Sequence, residues 1–121
     1  MTLNLGQITF DCANAAALAE FWSALTERPV DDGATDYFAT VGAKSRHTSP
    51  LPVLMFIKVP EPKAHKNRVH IDFHAEDWKA EVARAVGLGA TRVADYEEYG
   101  TQWASLLDPA GNEFDIGAGS Q

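Results

Sequence analysis

The sequence predicts an α+β fold built from two copies of one βαβββ module. Two strand-like segments 63 positions apart read almost alike, Gln7–Asp11 and His70–His74. In each segment Ile and Phe occupy one face of the strand and polar residues the other, because successive side chains point to opposite faces. An amphipathic helix pattern and further strand patterns follow each segment, so the second half of the chain repeats the order of the first.

The first module, residues 1–60, has one predicted helix between predicted strands. Strand patterns cover Leu3–Cys12, Tyr37–Val41 and Val53–Val59. The helix is expected to begin after an N-cap at Asn14 and to end before Pro29, which cannot donate a backbone hydrogen bond. Its apolar residues recur at helical spacing and form one stripe, namely Leu18, Phe21, Trp22 and Leu25.

Residues 60–67 are polar, contain two prolines and are predicted to link the modules. The second module, residues 68–121, has strand patterns over Arg68–His74, Thr91–Asp95, Thr101–Leu107 and Glu113–Ile116. Asp77 is the expected N-cap of its helix and Gly89 the left-handed C-cap. The predicted apolar stripe of that helix is Trp78, Val82, Ala85 and Val86. Together the modules predict a single domain, residues 1–121, with about eight strands and two helices.

The composition excludes several classes of partner. The net charge of −7 over 121 residues argues against nucleic acid and anionic membrane surfaces. Cys12 is the only cysteine, so no internal disulfide is possible, and its strand parity predicts a buried thiol. No segment has the length of a membrane span and no signal sequence precedes the first strand, so a cytoplasmic protein is expected.

The order of the motifs resembles the vicinal oxygen chelate superfamily, which includes glyoxalase I, extradiol dioxygenases and the bleomycin- and fosfomycin-resistance proteins. The chain looks most like the short bacterial glyoxalase-like domains of that superfamily. The similar segments are Val59–Lys63, Asn67–Phe73, Gly87–Val93 and Asp108–Phe114. The resemblance implies two paired βαβββ modules that form a cup-shaped mixed or antiparallel sheet, with a helix on the outside of each module.

The resemblance also implies a divalent metal on the inner face of the cup, held by the first and last strands of each module. Three of those positions fall on Gln7, His70 and Asp115. One nitrogen and two oxygen donors suit Mn, Fe, Ni or Zn. The fourth position falls near Met55 or Ile57, and neither side chain binds a hard cation. The implied ligand set is therefore incomplete.

The same apolar residues, Met55 and Ile57, give either an apolar floor for an organic ligand or part of an ordinary core. Asp72 and His74 lie on the strand face of His70, where they are either acid–base groups or a solvated rim pair, and Asp72 is also an expected ligand-binding residue. Trp103 is expected to supply an aromatic wall.

Two classes of function remain open. The first is a metal-assisted lyase, isomerase or oxygenase in which the ion acts as a Lewis acid on vicinal oxygens of the substrate. No catalytic base is identified for it. The second is a metal-free protein that sequesters a drug or metabolite, as the bleomycin-resistance branch does. Both bind a small organic molecule, and both are compatible with a homodimer.

Overall fold

The computed structural model describes residues 2–119 and confirms the α+β prediction. The helices are α1 (Ala15–Thr26) and α2 (Trp78–Leu88). The strands are β1 (Gln7–Cys12), β2 (Phe38–Val41), β3 (Val53–Lys58), β4 (Ile71–His74), β5 (Thr91–Glu98), β6 (Thr101–Leu107) and β7 (Glu113–Gly117). The chain divides into two compact units between Lys63 and Ala64, inside the predicted linker. That the two units make up one domain stays a prediction.

The first unit contains a three-stranded sheet in the order β1–β3–β2. Strand β1 runs parallel to β3, and β2 runs antiparallel to β3. A fourth strand is reduced to one antiparallel bridge between Val30 and Val41. The next residue, Asp31, is held beside β2 by its amide, which donates to the Thr40 carbonyl at 2.9 Å, and by its carboxylate, which accepts from the Thr40 hydroxyl at 2.7 Å and from the Ala43 amide at 3.0 Å. The described residues therefore form seven strands and one isolated bridge, compared with the expected number of about eight strands.

Helix α1 covers the sheet of the first unit as the sequence predicts. The Asn14 side chain accepts a hydrogen bond from the Ala17 amide at 3.1 Å, which confirms it as the N-cap. The predicted apolar stripe is buried, and the Trp22 ring lies 4.9 Å from that of Phe10. The helix ends at Thr26, earlier than Pro29 alone requires. Neither helix of the described chain is long and apolar enough to cross a membrane.

The second unit has the sheet order β4–β7–β6–β5. Strand β4 is parallel to β7, and the other neighbours are antiparallel. This is the connectivity of the first unit with the fourth strand fully formed, so the internal repeat is confirmed. Asp77 caps α2 and Gly89 ends it with a φ of 123°. The inclusion of Val86 in the apolar stripe of α2 was wrong, since Val86 is 43% exposed.

A two-residue turn, Tyr99–Gly100, connects β5 and β6. Both residues have positive φ, 54° for Tyr99 and 75° for Gly100, as in a type I′ hairpin turn. Such positions favour Gly and Asn, whereas an aromatic residue is strained there. Tyr99 is 93% exposed, so no burial offsets that strain.

We expect Tyr99→Asn to raise the free energy of unfolding by about 0.5–1 kcal/mol, because Asn tolerates positive φ better than Tyr. Urea unfolding followed by circular dichroism measures the change. Glu27→Asn is a matched case, since Glu27 has a φ of 56° at the end of α1. Urea midpoints of both variants equal to or lower than that of the parent protein would show that the backbone is not strained at Tyr99 or at Glu27.

Candidate functional site

One face of the sheet in the second unit is largely polar. Along β7 the buried Phe114 and Ile116 alternate with the half-buried Asp115. Along β4 the half-buried Ile71 and Phe73 alternate with exposed polar residues in the same way. Because helix α2 covers the apolar face, the polar side chains all lie on the opposite one.

The strand register arranges this face in two rows. The first, the polar row, consists of Asp72, Asp115 and Ser105 on three neighbouring strands. The second, the aromatic row, consists of His74, Gly117, Trp103 and Tyr96 on four neighbouring strands. Two residues along each strand separate the rows, a distance of roughly 6.6 Å.

His70 joins the polar row from just outside the sheet. The predicted strand from Arg68 in fact begins at Ile71, so His70 precedes β4 by one residue. Its Nε2 atom lies 3.2 Å from Oδ1 of Asp72 and 3.4 Å from Oδ2 of Asp115. The donor atoms of these three side chains all lie within 4.8 Å of one another, and we call them the His–Asp–Asp cluster.

A hydrogen bond anchors the segment that precedes β4. The Asn67 amide donates to Oε2 of Glu113 at 2.8 Å, and the Asn67 side chain donates to Asn112 at 3.4 Å. Both acceptors lie at or beside the start of β7. His70 lies outside the strand ladder. The hydrogen bonds of Asn67, three residues earlier in the chain, therefore help to hold the segment that carries His70 beside β7.

Asp115 has a carboxyl group with a raised pKa. Burial raises the pKa of its carboxyl above the ordinary value, and the neighbouring Asp72 raises it further. The Ser105 hydroxyl, which donates to Oδ1 of Asp115 at 2.8 Å, and His70 both lower that pKa, but burial outweighs them. The side chain of Asp115 is only 16% exposed, compared with 54% for Asp72. Ionisation of Asp115 is therefore costly unless a positive charge lies nearby.

The His–Asp–Asp cluster fits a divalent metal in chemistry, and the two separations measured from His70 fit the spacing of ligands around such an ion. One imidazole and two carboxylates are ligands typical of Mn, Fe and Zn sites. Two ligands bound to such an ion at about 2.0–2.2 Å lie roughly 3.0–3.5 Å apart in octahedral or tetrahedral geometry. The observed separations of 3.2 and 3.4 Å from His70 to the two carboxylates fall in that range. Asp72, predicted as a ligand-binding residue, thus joins His70 and Asp115 as a candidate metal ligand.

A cavity of about 310 Å³ adjoins the cluster within the second unit. Both rows contribute to its walls, and the tip of the β5–β6 hairpin forms its rim. The lining includes His70, Asp72, His74, Tyr99, Trp103, Asp115 and Gly117. Asp72 and Trp103 thus lie where a ligand-binding role requires them, and that role stays a prediction. Sequence reasoning missed Ser105, although its strand parity with Trp103 already placed it on this face.

The remaining predicted site residues lie in the first unit. Gln7 is the exposed first residue of β1, and Met55 and Ile57 are half-buried on β3. Met55 pairs with Thr9 on β1 as Asp115 pairs with Asp72 on β4, so Met55 is the repeat counterpart of Asp115. The metal role of Gln7 and the ligand-binding roles of Met55 and Ile57 stay predictions.

Solved structures share this fold at low sequence identity. A glyoxalase/bleomycin resistance protein/dioxygenase family enzyme from Burkholderia phytofirmans is 19% identical with a TM-score of 0.74, covering 96% of this chain and 98% of its own. The fosfomycin resistance protein FosX from Listeria monocytogenes is 13% identical with a TM-score of 0.73. The match covers 99% of this chain and 96% of the FosX chain. The lactoylglutathione lyase from Agrobacterium tumefaciens is 13% identical with a TM-score of 0.66, covering 96% and 93%.

A family model described as glyoxalase-like domain matches residues 7–117. The chain therefore belongs to the glyoxalase-like domain family, and the predicted membership of the vicinal oxygen chelate superfamily is confirmed. Among curated proteins no sequence matches it significantly.

We expect Asp115→Asn to stabilise the metal-free protein at pH 7 by up to about 1 kcal/mol, because it removes a buried negative charge. A raised carboxyl pKa in the folded state lowers stability as pH rises from about 4 through that pKa. In thermal unfolding, the extra stability of the Asp115→Asn variant over the parent should therefore be absent at pH 3 and complete at pH 7. Asp32→Asn controls for loss of one charge, since Asp32 is 99% exposed. If the Asp115→Asn variant is no more stable than the parent at pH 7, ionisation of Asp115 does not destabilise the folded protein.

Proposed function

We propose that this protein binds a divalent metal ion through His70, Asp72 and Asp115 and acts on a small organic molecule in the adjoining cavity. The observation that carries the proposal is the His–Asp–Asp cluster, with its donor atoms within 4.8 Å of one another. The class of activity is that of a metal-assisted lyase, isomerase or oxygenase. It agrees with the names of similar structures, which include a lyase and a fosfomycin resistance protein.

The charge of the cluster supports a cation. Two carboxylates face each other on neighbouring strands, and Asp115 is mostly buried. Like charges so close together destabilise each other, and a protonated His70 offsets only one of them. A divalent ion would balance both carboxylates and leave the imidazole neutral, which is the form of histidine that binds metals.

The side chains of the cluster and its neighbour Ser105 would have different roles at a bound ion. A bound divalent ion supplies Lewis-acid polarisation of a substrate oxygen. His70 would hold the ion through Nε2, while Asp72 and Asp115 would contribute the negative charge. The Ser105 hydroxyl fixes one oxygen of Asp115 and leaves Oδ2 directed toward His70. Orientation by such a hydrogen bond is a usual feature of carboxylate ligands.

The cavity supports a substrate of limited size. Its volume of about 310 Å³ is at the lower end of the range for ligand pockets, roughly 300–1,000 Å³. Polar groups concentrate on the side of Asp72 and Asp115, and the Trp103 indole lies on the other. A molecule with oxygen atoms at one end and an apolar part at the other fits this division.

The homodimer and the cytoplasmic location stay predictions.

A second candidate, a metal-free protein that sequesters a small molecule, is favoured by two observations. His70 lies within hydrogen-bonding distance of both carboxylates, and Ser105 donates to Asp115, so the cluster is satisfied by its own groups. In addition Met55, the repeat counterpart of Asp115, cannot supply a fourth ligand.

Metal titration decides between the two candidates. We expect the protein to bind Mn²⁺ or Zn²⁺ at one ion per chain in isothermal titration calorimetry, and His70→Ala to lose at least about ten-fold in affinity. His65→Ala is the matched control, because His65 is an exposed loop histidine outside the cluster. Equal affinity of the parent and the His70→Ala variant would exclude His70 as a ligand. Absence of stoichiometric binding to the parent would favour the metal-free candidate.

A further inference from the structure

We propose that Tyr99, at the tip of the β5–β6 hairpin, closes over a small organic molecule in the cavity and contacts the apolar part of that molecule. This inference rests on the proposed function only in taking the ligand to be a small molecule with a polar end and an apolar end. It goes further in assigning the residue that covers the ligand and in linking that residue to the stability of the fold.

Tyr99 lies at the rim of the cavity beside the His–Asp–Asp cluster. It lines that cavity together with Thr101 and Trp103 of β6. It also lines a second, open hollow of about 530 Å³, whose other lining residues belong to the same hairpin and to Ala118. Tyr99 therefore adjoins free space in two hollows, and one of them is the candidate site.

The backbone conformation at Tyr99 suits a different residue. Its φ of 54° places it at the first central position of the type I′ turn, where Asn, Asp and Gly are preferred. The second central position, with a φ of 75°, is occupied by Gly100 and meets that preference. Strained positions of this kind cluster at ligand-binding and active sites, where the side chain itself is needed.

Packing within the folded chain does not explain the aromatic side chain at this position. Tyr99 is 93% exposed, whereas Tyr96 on the same hairpin is stacked on Trp103 with ring centroids 5.3 Å apart. A large side chain that strains the backbone and lies almost entirely in solvent gains apolar contact only when another molecule binds beside it. The adjoining cavity is where such a molecule would lie.

The base of the hairpin tip is fixed to the segment that follows β7. The Thr101 hydroxyl donates to the Gly119 carbonyl at 2.7 Å, and the Ala118 amide donates to the Gln102 carbonyl at 2.9 Å. These bonds hold the backbone beside the turn at the rim of the cavity. Closure over a ligand therefore needs rotation of the Tyr99 side chain and no movement of the sheet.

The position of Tyr99 along the hairpin decides which part of a ligand it would meet. On the cavity face of β6, Ser105, Trp103 and Thr101 follow one another toward the tip. Tyr99 thus lies beyond Trp103, on the side away from the polar row. A ligand whose polar end contacts Asp115 presents its apolar end to Trp103 and Tyr99, and burial of an aromatic ring against that end is favourable.

Stability and affinity measured on the same variants test the proposal. Octanamide is the probe, since it has one polar end and one apolar chain. We expect Tyr99→Asn to unfold at a higher urea concentration than the parent and to bind octanamide at least about five-fold more weakly in isothermal titration calorimetry. Tyr99→Phe keeps the ring and should bind octanamide within about two-fold of the parent. A purely structural role of Tyr99 would change the urea midpoint and leave the affinity unchanged.

Glu27→Asn is the matched control. Glu27 also has a positive φ, 56°, but it follows α1 and is not among the residues that line the cavity. This variant should unfold at a higher urea concentration and bind octanamide as the parent does. Parent-like affinity of Tyr99→Asn, or no binding of octanamide to the parent, would overturn the proposal.

Alkylation reports on the closure directly. The thiol introduced by Tyr99→Cys should react with iodoacetamide several-fold more slowly when octanamide is saturating, whereas the native Cys12 is buried and should contribute little. Ala83→Cys is the control, because Ala83 is exposed on α2, which covers the opposite face of the sheet. Equal rates for Tyr99→Cys with and without octanamide would place the ligand elsewhere and refute the closure.

Failure of this inference and failure of the metal proposal are distinguishable. Mn²⁺ titration of the same variants reports on the His–Asp–Asp cluster alone, and Tyr99→Asn should bind Mn²⁺ as the parent does. Mn²⁺ binding together with parent-like octanamide affinity of Tyr99→Asn leaves the metal site standing and refutes the role of Tyr99. Weaker octanamide binding by Tyr99→Asn without Mn²⁺ binding supports the role of Tyr99 and favours the metal-free candidate.

Discussion

The parallel pairing of β4 with β7 is the constraint on which the site depends. In its register Asp72 lies beside Asp115 and His74 beside Gly117, so both rows of the cavity wall are set at once. The opposite face carries apolar side chains, with the rings of Phe73 and Phe114 in edge-to-face contact at 6.4 Å. A slip of one residue would exchange the two faces and bury Asp115 against α2. Burial of the apolar face therefore fixes the geometry of the polar one.

The position of Asp115 in the cluster is unfavourable for stability. Asp115 is held in a mostly buried position where its ionisation is unfavourable, and a second carboxylate lies on the next strand. A sequence selected for stability alone would place a neutral residue there. Ser105 and His70 offset part of the cost, and a bound cation would offset more. The proposed metal site accounts for a carboxylate at the mostly buried position of Asp115.

The two units share a topology and differ in chemistry. Both have a first strand parallel to the last strand and a helix over one face of the sheet. The second unit has a full edge strand and carries Asp115, whereas the first has only the Val30–Val41 bridge and carries Met55. A repeated backbone can thus retain its packing while the side chains of its polar face change, because only the apolar face is needed for the core.

The sequence by itself determined the helices, the caps at Asn14 and Asp77, and the internal repeat, because these depend on local spacing and on strand parity. It also placed His70 and Asp115 in a candidate site through the family resemblance. Only the tertiary structure decided that Asp72 completes the cluster, that Ser105 donates to Asp115, and that Gly117 lies between Trp103 and His74 in the sheet register. Those relations depend on register between strands distant in the chain, which alternation within one strand does not specify.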